Sequence, residues 1–316
     1  MGNHHGGTKT AAVKQKSSLF IRMKKHWQLY ILILPAVIYF AVFCYGPMYG
    51  IQLAFKNYNA LDGITGSPWV GLTHFERFFH SYQFGKLLKN TLSLSILQLL
   101  FGFPLPILLA LCLNYARSTK FKKFVQTITY APHFISIVVL VGMLNIFFSV
   151  NGGLVNEVVT ALGFDPILFM GKERYFRPLF VGSGVWQNMG WNAIIYLAAL
   201  SGVNPELHEA AVADGASKLR RVWHIDLPAI RPTIIIMLIL NCGQLMGLGF
   251  EKAFLMQNSL NLGRSEIIAT YVYKIGLLDA QYGFATAVGL FNSVINFVLL
   301  ITVNQISKKV SETSLW

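Results

Sequence analysis

Residues 204–232, NPELHEAAVADGASKLRRVWHIDLPAIRP, form a charged loop within a chain that is otherwise largely apolar. Asn204-Pro205-Glu206 is typical of a helix start, with an N-cap, a proline at the first helical position and an acid in the first turn. Gly215 interrupts the small-residue run that follows, and a second helical pattern begins near Ser217. We expect this second helix to end at Leu227-Pro228, because proline cannot continue a helix. The charged loop is therefore predicted to form two short helices joined by a bend, exposed to water between two membrane spans.

The composition of the chain is that of an integral membrane protein. Of the 316 residues, 54% are hydrophobic and only 12% are charged, whereas soluble domains carry about 25% charged residues. The net charge of +13 does not indicate nucleic-acid binding, because the basic residues border apolar runs and form no stripe along a polar helix. Cys44, Cys112 and Cys242 lie in apolar runs without CxxC spacing, so we expect buried free thiols and no metal site.

Six apolar runs predict an all-α integral membrane protein with six transmembrane helices. A basic tail at residues 1–28 and a short tail at residues 307–316 flank one membrane domain at residues 29–306. The first run lacks a small-residue cleavage site, which favours a retained helix over a signal peptide. Pro104 and Pro106 should kink the second span, and Pro132-His133 should interrupt the third. The predicted spans are residues 29–51, 91–113, 125–150, 178–200, 233–250 and 284–306.

The distribution of lysine and arginine predicts which side of the membrane each loop occupies. The two tails, the charged loop and the loop at residues 117–124 together carry 16 of the 26 basic residues, although they are the shorter segments. Short basic segments remain in the cytoplasm. We therefore expect both termini and the charged loop to be cytoplasmic.

The charged loop resembles the EAA loop of permease subunits of binding-protein-dependent ABC importers. The match spans 20 residues with its spacing intact, although Val222 stands where many members have phenylalanine and Trp223 follows it. The matching residues are Glu209, Ala210, Ala211, Asp214, Gly215, Ala216, Ile225, Leu227 and Pro228. Other segments are similar to a carbohydrate-importer branch that includes permeases for pectic and alginate-type oligosaccharides. These segments are FKNYN (55–59), SPWVGL (67–72), HFERFF (74–79), FKKFVQTITYAPHFIS (121–136) and ATAVGLFNSVINF (285–297).

The resemblance implies a type I ABC importer permease fold in a bacterial cell membrane, with the charged loop as a cytoplasmic coupling helix. It also implies four kinds of partner: a second homologous permease, a dimer of ATP-binding subunits, an extracytoplasmic solute-binding protein and an oligosaccharide. The sequence alone allows a homodimer as well. The chain contains no GxxxxGK[ST] motif, so ATP and Mg are expected on the partner ATPase, with no cofactor and no catalytic residue in this chain.

Polar and aromatic residues inside the predicted spans are candidates for a sugar path, because amides can bind hydroxyls and aromatic faces can bind C–H surfaces. The candidates are Trp186, Gln187, Asn188, Trp191, Asn192, Asn241, Gln244, Glu251, Asn292 and Asn296. The alternative is that these amides only join helices, since membrane Asn and Gln often form interhelical hydrogen bonds of about 1 kcal/mol. His133, beside Pro132, is expected to be structural.

Two other classes of function remain as alternatives. An ion- or proton-coupled secondary carrier of a small polar solute would need ionisable groups deep in the spans, and the predicted span interiors hold almost none. A structural or assembly subunit needs no path at all. Neither alternative explains the pattern in the charged loop.

Overall fold

The computed structural model describes residues 26–247, 249–311 and 314–315. Most of the predicted basic tail and part of the C-terminal tail lie outside these residues. The regular secondary structure of the described residues is helical, apart from one isolated antiparallel bridge between Lys56 and Trp69. The chain divides into two compact units, Met1–Gln52 and Leu53–Trp316.

The longer helices are numbered here in chain order. They are α1 (Trp27–Phe55), α2 (Tyr82–Asn114), α3 (Thr119–Phe134), α4 (Ile137–Phe147), α5 (Glu173–Ser201), α6 (Pro205–Ala213), α7 (Lys218–Gly243) and α8 (Tyr282–Ser311). Shorter helices lie at Gly63–Gly66, Thr73–Phe79, Leu154–Ala161, Phe250–Met256, Leu262–Ser265 and Ile268–Leu278.

Within the described residues, four helices are long and apolar enough to cross a membrane: α1, α2, α7 and α8. The bent pair α3–α4 would make a fifth span. Most of α1 is exposed, and nearly all of its exposed side chains are apolar. Such a surface is what hydrocarbon requires of a spanning helix. Cys44 and Cys112 are also exposed, so the expectation that they are buried is wrong; an apolar run in a membrane helix can equally face outward.

The proline pair in α2 disturbs the helix as predicted. The α-helix breaks at Phe103 and restarts at Pro104. Pro104 lacks an amide proton, but it lies in the first turn of the new segment, where an amide proton would have no helical partner. The helix starts at Tyr82, well before the predicted boundary at residue 91. Its first two turns, YQFGKLLK (82–89), mix polar and apolar residues and include two lysines, so the helix begins before the predicted apolar run.

The third predicted span, residues 125–150, is not one straight helix. It is divided between α3 and α4, which meet at an angle of 102°. Pro132 lies in a 3₁₀ turn at the end of α3, and Ser136 then caps α4 by accepting a hydrogen bond from the Val139 amide at 3.3 Å. A proline followed by a strong N-cap therefore ends one helix and starts another.

Helix α5 contains the fourth predicted span and lies at the centre of the second unit, packed against α2, α3 and α7. It has 29 residues but is too polar to count among the apolar candidate spans. Ten of its residues are buried, including Gln187 and Tyr196. Gly190 permits close contact with α3, because a Cβ there would lie 2.1 Å from the Thr129 carbonyl oxygen.

Three clusters of buried apolar side chains hold the second unit together. One joins α2, α4 and α5 through Leu94, Val141 and Phe180. Another joins α2 to α8 through Leu87 and Val288, and a third joins α2, α5 and α7. Each cluster includes residues of α2, so this helix and α5 form the frame for the polar groups described below.

Candidate coupling loop and polar cavity

The charged loop begins with the predicted helix. Asn204 caps α6, its side-chain oxygen accepting a hydrogen bond from the Glu206 amide at 3.0 Å, and Pro205 occupies the first turn. The start predicted from Asn204-Pro205-Glu206 is therefore confirmed. Among the motif residues of α6, Glu209 and Ala210 are exposed and Ala211 is half-buried.

The predicted bend follows at Gly215, whose φ is +74°. No atom lies within 4 Å of the position a Cβ would occupy there, so the requirement for glycine is conformational. The Ala216 amide donates to the Ala211 carbonyl at 2.8 Å and closes the turn. Ser217 then caps α7 by accepting from the Arg220 amide at 3.3 Å.

The bend leaves a shallow cavity of about 220 Å³ on the charged loop. Its lining mixes motif residues with cations: Ala211, Asp214, Ala216, Arg220, Arg221, His224 and Ile225. The same loop exposes large apolar side chains, with Leu219 68% and Trp223 62% exposed. Exposed apolar side chains around a concave surface are typical of a docking site for another protein.

The second helix of the charged loop does not end at Pro228, contrary to prediction. A π-helical turn, Val222–Asp226, leads into the α-helix Leu227–Gly243 without a break. Pro228 then occupies the first turn of that α-segment, where its missing amide proton removes no α-helical hydrogen bond. As a result, α7 is continuous from the charged loop into the membrane-length segment and ends at Gly243, short of the predicted residue 250.

Asp226, in this π-helical turn, is fully buried and joins three segments. The Tyr115 hydroxyl, just after α2, donates to Oδ2 at 2.6 Å. His208 of α6 brings Nε2 to 3.2 Å from Oδ1, an ion-pair distance without hydrogen-bond geometry. The Arg221 guanidinium lies 5.4 Å from the Tyr115 ring centre. Burial, followed by the hydrogen bond and charge of Asp226, raises the pKa of Tyr115 to about 12.

A polar cavity of about 220 Å³ lies between α2, α5 and the end of α7. It brings together three predicted path residues, Asn192, Asn241 and Gln244, and two polar residues that the prediction missed, Ser95 and Gln98. Gln98 is near the middle of α2. The signal was available in the sequence, because Ser95 and Gln98 interrupt an otherwise apolar run.

The structure places other predicted path residues in helix-joining contacts. Gln187 is buried and donates to the Ile135 carbonyl at 2.8 Å. Asn188 Oδ1 lies 3.0 Å from His133 Nδ1. The His133 ring stacks on Trp191, with ring centres 4.4 Å apart and planes inclined by 4°. These contacts join α5 to the junction of α3 and α4.

Asn292 and Asn296 of α8 also bond to main chain, holding Met246 just beyond α7. Asn296 accepts from the Met246 amide at 2.8 Å, and Asn292 donates to the Met246 carbonyl at 3.1 Å. Trp186 lines a separate, mainly apolar cavity of about 350 Å³. Glu251 is exposed.

Lys252, next to Glu251, is buried, which was not predicted. Its Nζ donates to the Phe180 carbonyl at 2.7 Å and lies 4.8 Å from the centre of the Phe180 ring. A Cβ on Gly184 would be 3.2 Å from this nitrogen and 3.0 Å from Gln98 Oε1. Lys252 therefore lies close to the polar cavity, beside Gln98.

Comparisons with known proteins agree with this architecture. Residues 102–312 match the family described as "Binding-protein-dependent transport system inner membrane component". The polygalacturonan/rhamnogalacturonan transport system permease protein YteP of Bacillus subtilis (strain 168) is 46% identical over 303 residues, covering 96% of this chain and 94% of that protein. Protein LplB of the same organism is 44% identical, covering 93% of this chain and 92% of that protein.

A solved structure extends the likeness to three dimensions. A chain of the bacterial alginate ABC transporter, crystallised with an alginate pentasaccharide-bound periplasmic protein, superimposes with a TM-score of 0.88 at 40% identity. The match covers 95% of this chain and 100% of that chain. The chain therefore belongs to the inner membrane components of binding-protein-dependent transport systems, and it is a transport permease.

Proposed function

We propose that this chain is one transmembrane subunit of an ATP-driven importer for an oligosaccharide delivered by an extracytoplasmic binding protein. The observation that carries this proposal is the charged loop, whose EAA pattern coincides with a capped helix, a glycine bend and an exposed concave surface. One relative is named as part of a polygalacturonan/rhamnogalacturonan transport system, and the solved structure as an alginate ABC transporter, which supports a carbohydrate substrate.

In this proposal the charged loop is a coupling helix that docks on a cytoplasmic ATP-binding subunit, where ATP and Mg bind. Continuity supports the role, because α7 runs from the loop into a membrane-length helix without interruption. Asp226 adds a second connection, through Tyr115, to the end of α2. A displacement of the loop would therefore move α2 and α7 together.

We further propose six spans with both termini in the cytoplasm. The four apolar helices, the bent pair α3–α4 and the polar helix α5 give this number. A polar helix can cross a membrane when its polar groups are shielded by protein or line an aqueous path. The basic loops predicted to be cytoplasmic then lie on the side of the charged loop.

The polar cavity is the proposed substrate path, with Asn192, Asn241, Gln244, Ser95 and Gln98 as its amides and hydroxyl. A second, homologous permease would complete it, in the manner of a midplane site between two rocking halves. The contacts of Gln187, Asn292 and Asn296 favour helix joining for those three residues. A secondary carrier receives no support from any of these contacts.

The test measures uptake and ATP hydrolysis by the complete transporter in proteoliposomes, in the presence of substrate-loaded binding protein. We expect Glu209→Lys and Gly215→Val to abolish most uptake while membrane insertion is retained. Matched controls exist at the other side of the membrane: Glu157→Lys, also an exposed helix acid, and Gly163→Val, whose φ is +84° with open space at Cβ. Unchanged uptake in both loop variants would refute the coupling role.

A further inference from the structure

A further cavity, of about 310 Å³, lies at the start of α2 and α5. Four cationic side chains and one carboxylate line it, together with an amide and a glycine. The lining residues are Lys86, Lys89, Asn90, Glu173, Arg177, Gly263 and Arg264. We call this the basic cavity.

With the six spans proposed above, the basic cavity lies across the membrane from the charged loop. Lys89 and Tyr115 are 26 positions apart on and just beyond α2, which corresponds to about 39 Å of helix at 1.5 Å per residue. That length matches the ~40 Å thickness of a bilayer with its headgroups. The positive-inside rule therefore does not explain these cations, because they lie at the end of the molecule where that rule predicts few.

A buried asparagine builds the floor of the cavity. Asn90 is 3% exposed and donates from Nδ2 to the carbonyls of Gly263 and Glu266, both at 3.0 Å. Its Oδ1 accepts from Arg177 Nη2 at 3.2 Å. This amide fixes both the wall at residues 263–266 and the guanidinium of Arg177. The Nε of Arg177 is buried and has no hydrogen-bond partner among the described residues.

Cationic side chains outnumber carboxylates around the basic cavity. Glu266 pairs with Lys86 at 3.5 Å and with Lys274 at 3.1 Å. Within the described residues, no ion pair involves Lys89, Arg177 or Arg264. Glu173 is the single carboxylate in the lining. Three convergent cations thus face a concave space with one acid to offset them, an arrangement that attracts anions.

We propose that the basic cavity binds the carboxylate of a uronic acid residue as an acidic oligosaccharide enters the permease. The inference rests on the proposed import function and specifies its substrate class. The cavity volume is at the lower end of the range for small-ligand sites, about 300–1,000 Å³, and suits a single sugar ring. Arginine matches a planar carboxylate with two parallel N–H donors, which Arg177 and Arg264 can supply.

Direct binding to the complete permease–ATPase complex, without binding protein, tests this site. The probe is trigalacturonate, compared with its carboxyl-reduced neutral counterpart, by calorimetry in phosphatidylcholine nanodiscs. We expect the double variant Lys89→Gln/Arg264→Gln, both exposed residues whose change should not disturb folding, to weaken trigalacturonate binding about tenfold or more, as loss of about 1.4 kcal/mol does. Glu173→Gln should strengthen it, because it removes the opposing carboxylate.

Arg174→Gln is the matched control, since Arg174 is exposed, adjacent to Glu173 and absent from the cavity lining. It should leave both affinities unchanged, and no variant should alter binding of the neutral probe. Equal trigalacturonate affinity in wild type and the double variant, or equal affinity of wild type for the two probes, would overturn the proposal.

Two further outcomes would give the basic cavity a different ligand and would also overturn the proposal. A charge effect seen only with phosphatidylglycerol nanodiscs would indicate a lipid headgroup site. Weaker docking of sugar-free binding protein, with trigalacturonate affinity unchanged, would indicate a protein contact. ATP hydrolysis stimulated by loaded binding protein, measured on the same samples, tests the import function separately.

Discussion

The Tyr115 hydroxyl donates a 2.6 Å hydrogen bond to Oδ2 of Asp226, a fully buried carboxylate 111 residues further along the chain. This contact connects the end of α2 to the base of the charged loop, and His208 of α6 approaches the other carboxylate oxygen. A buried carboxylate is costly unless polar partners surround it. The three residues therefore hold the loop in a defined position relative to the helices that line the polar cavity.

We expect Tyr115→Phe to destabilise the protein by about 1–3 kcal/mol, because a buried carboxylate oxygen loses its donor. Asp226→Asn should also destabilise it, but the double variant should lose less than the sum of the two single changes, since the contact they share is removed once. Thermal unfolding of the purified complex measures the stability of the wild type, the two single variants and the double variant. Strict additivity would show that the two residues do not interact in solution.

The same contact predicts a dependence on alkaline pH. The pKa of Tyr115 is raised from 10 to about 12 in the folded protein, so the protonated hydroxyl stabilises the fold fully below pH 10. This contribution is lost as the pH rises from about 10 to 12. The difference in unfolding temperature between wild type and Tyr115→Phe should therefore shrink across this window. A difference that stays constant from pH 9 to pH 12 would contradict the assignment.

The packing of α5 on α3 makes a prediction about two glycines of one helix. Gly190→Ala would place a Cβ 2.1 Å from the Thr129 carbonyl oxygen, whereas Gly182→Ala meets no atom within 4 Å. We expect Gly190→Ala to cost about 1–3 kcal/mol through overpacking, and Gly182→Ala to be neutral or slightly stabilising because alanine favours helix. Detergent unfolding curves compare the two, and equal stability would mean that α3 does not approach α5 so closely.

Replacement by leucine should affect stability at one amide of α5 and uptake at another. Gln187→Leu breaks a buried bond to the Ile135 carbonyl and should lower stability by about 1 kcal/mol. Asn192→Leu, at an exposed position in the polar cavity, should reduce uptake several-fold with stability unchanged. Uptake per folded transporter and unfolding temperature, measured side by side, separate the roles. If Gln187→Leu reduced uptake and Asn192→Leu reduced stability, the two residues would have the opposite roles.

Local signals explain what could be predicted from the sequence. Asn204-Pro205-Glu206 and Gly215 determine backbone conformation through their own side chains, or the absence of one, and both were predicted correctly. The interruption at Pro104 follows from the same kind of rule. Charged and polar residues near a helix start, by contrast, do not define where the helix begins, which is why α2 and α7 begin well before their predicted spans.

The predictions were wrong or incomplete where the surrounding structure overrides a rule that depends only on the local sequence. Pro228 does not end a helix because a π-helical turn places it in a first turn. The interruption predicted at Pro132-His133 is confirmed, but its size, a bend of 102°, was not predicted and arises because Ser136 starts a new helix. Contacts such as Tyr115–Asp226, or Gln98 beside Lys252, join residues far apart in sequence, and no single-sequence pattern specifies them. For the same reason, the sequence could not separate Asn192, in a cavity, from Gln187, in a helix contact.

The central claim is that the charged loop contacts an ATP-binding subunit, and photo-crosslinking tests it most directly. Val212 of α6 is 55% exposed on the charged loop, and Val158, in Leu154–Ala161, is 60% exposed away from it. With a photoreactive residue at each position in turn, in the complete transporter, we predict crosslinks to the ATP-binding subunit from position 212 and none from position 158. Absence of that crosslink from position 212, in a transporter that retains ATP-dependent uptake, would contradict the account.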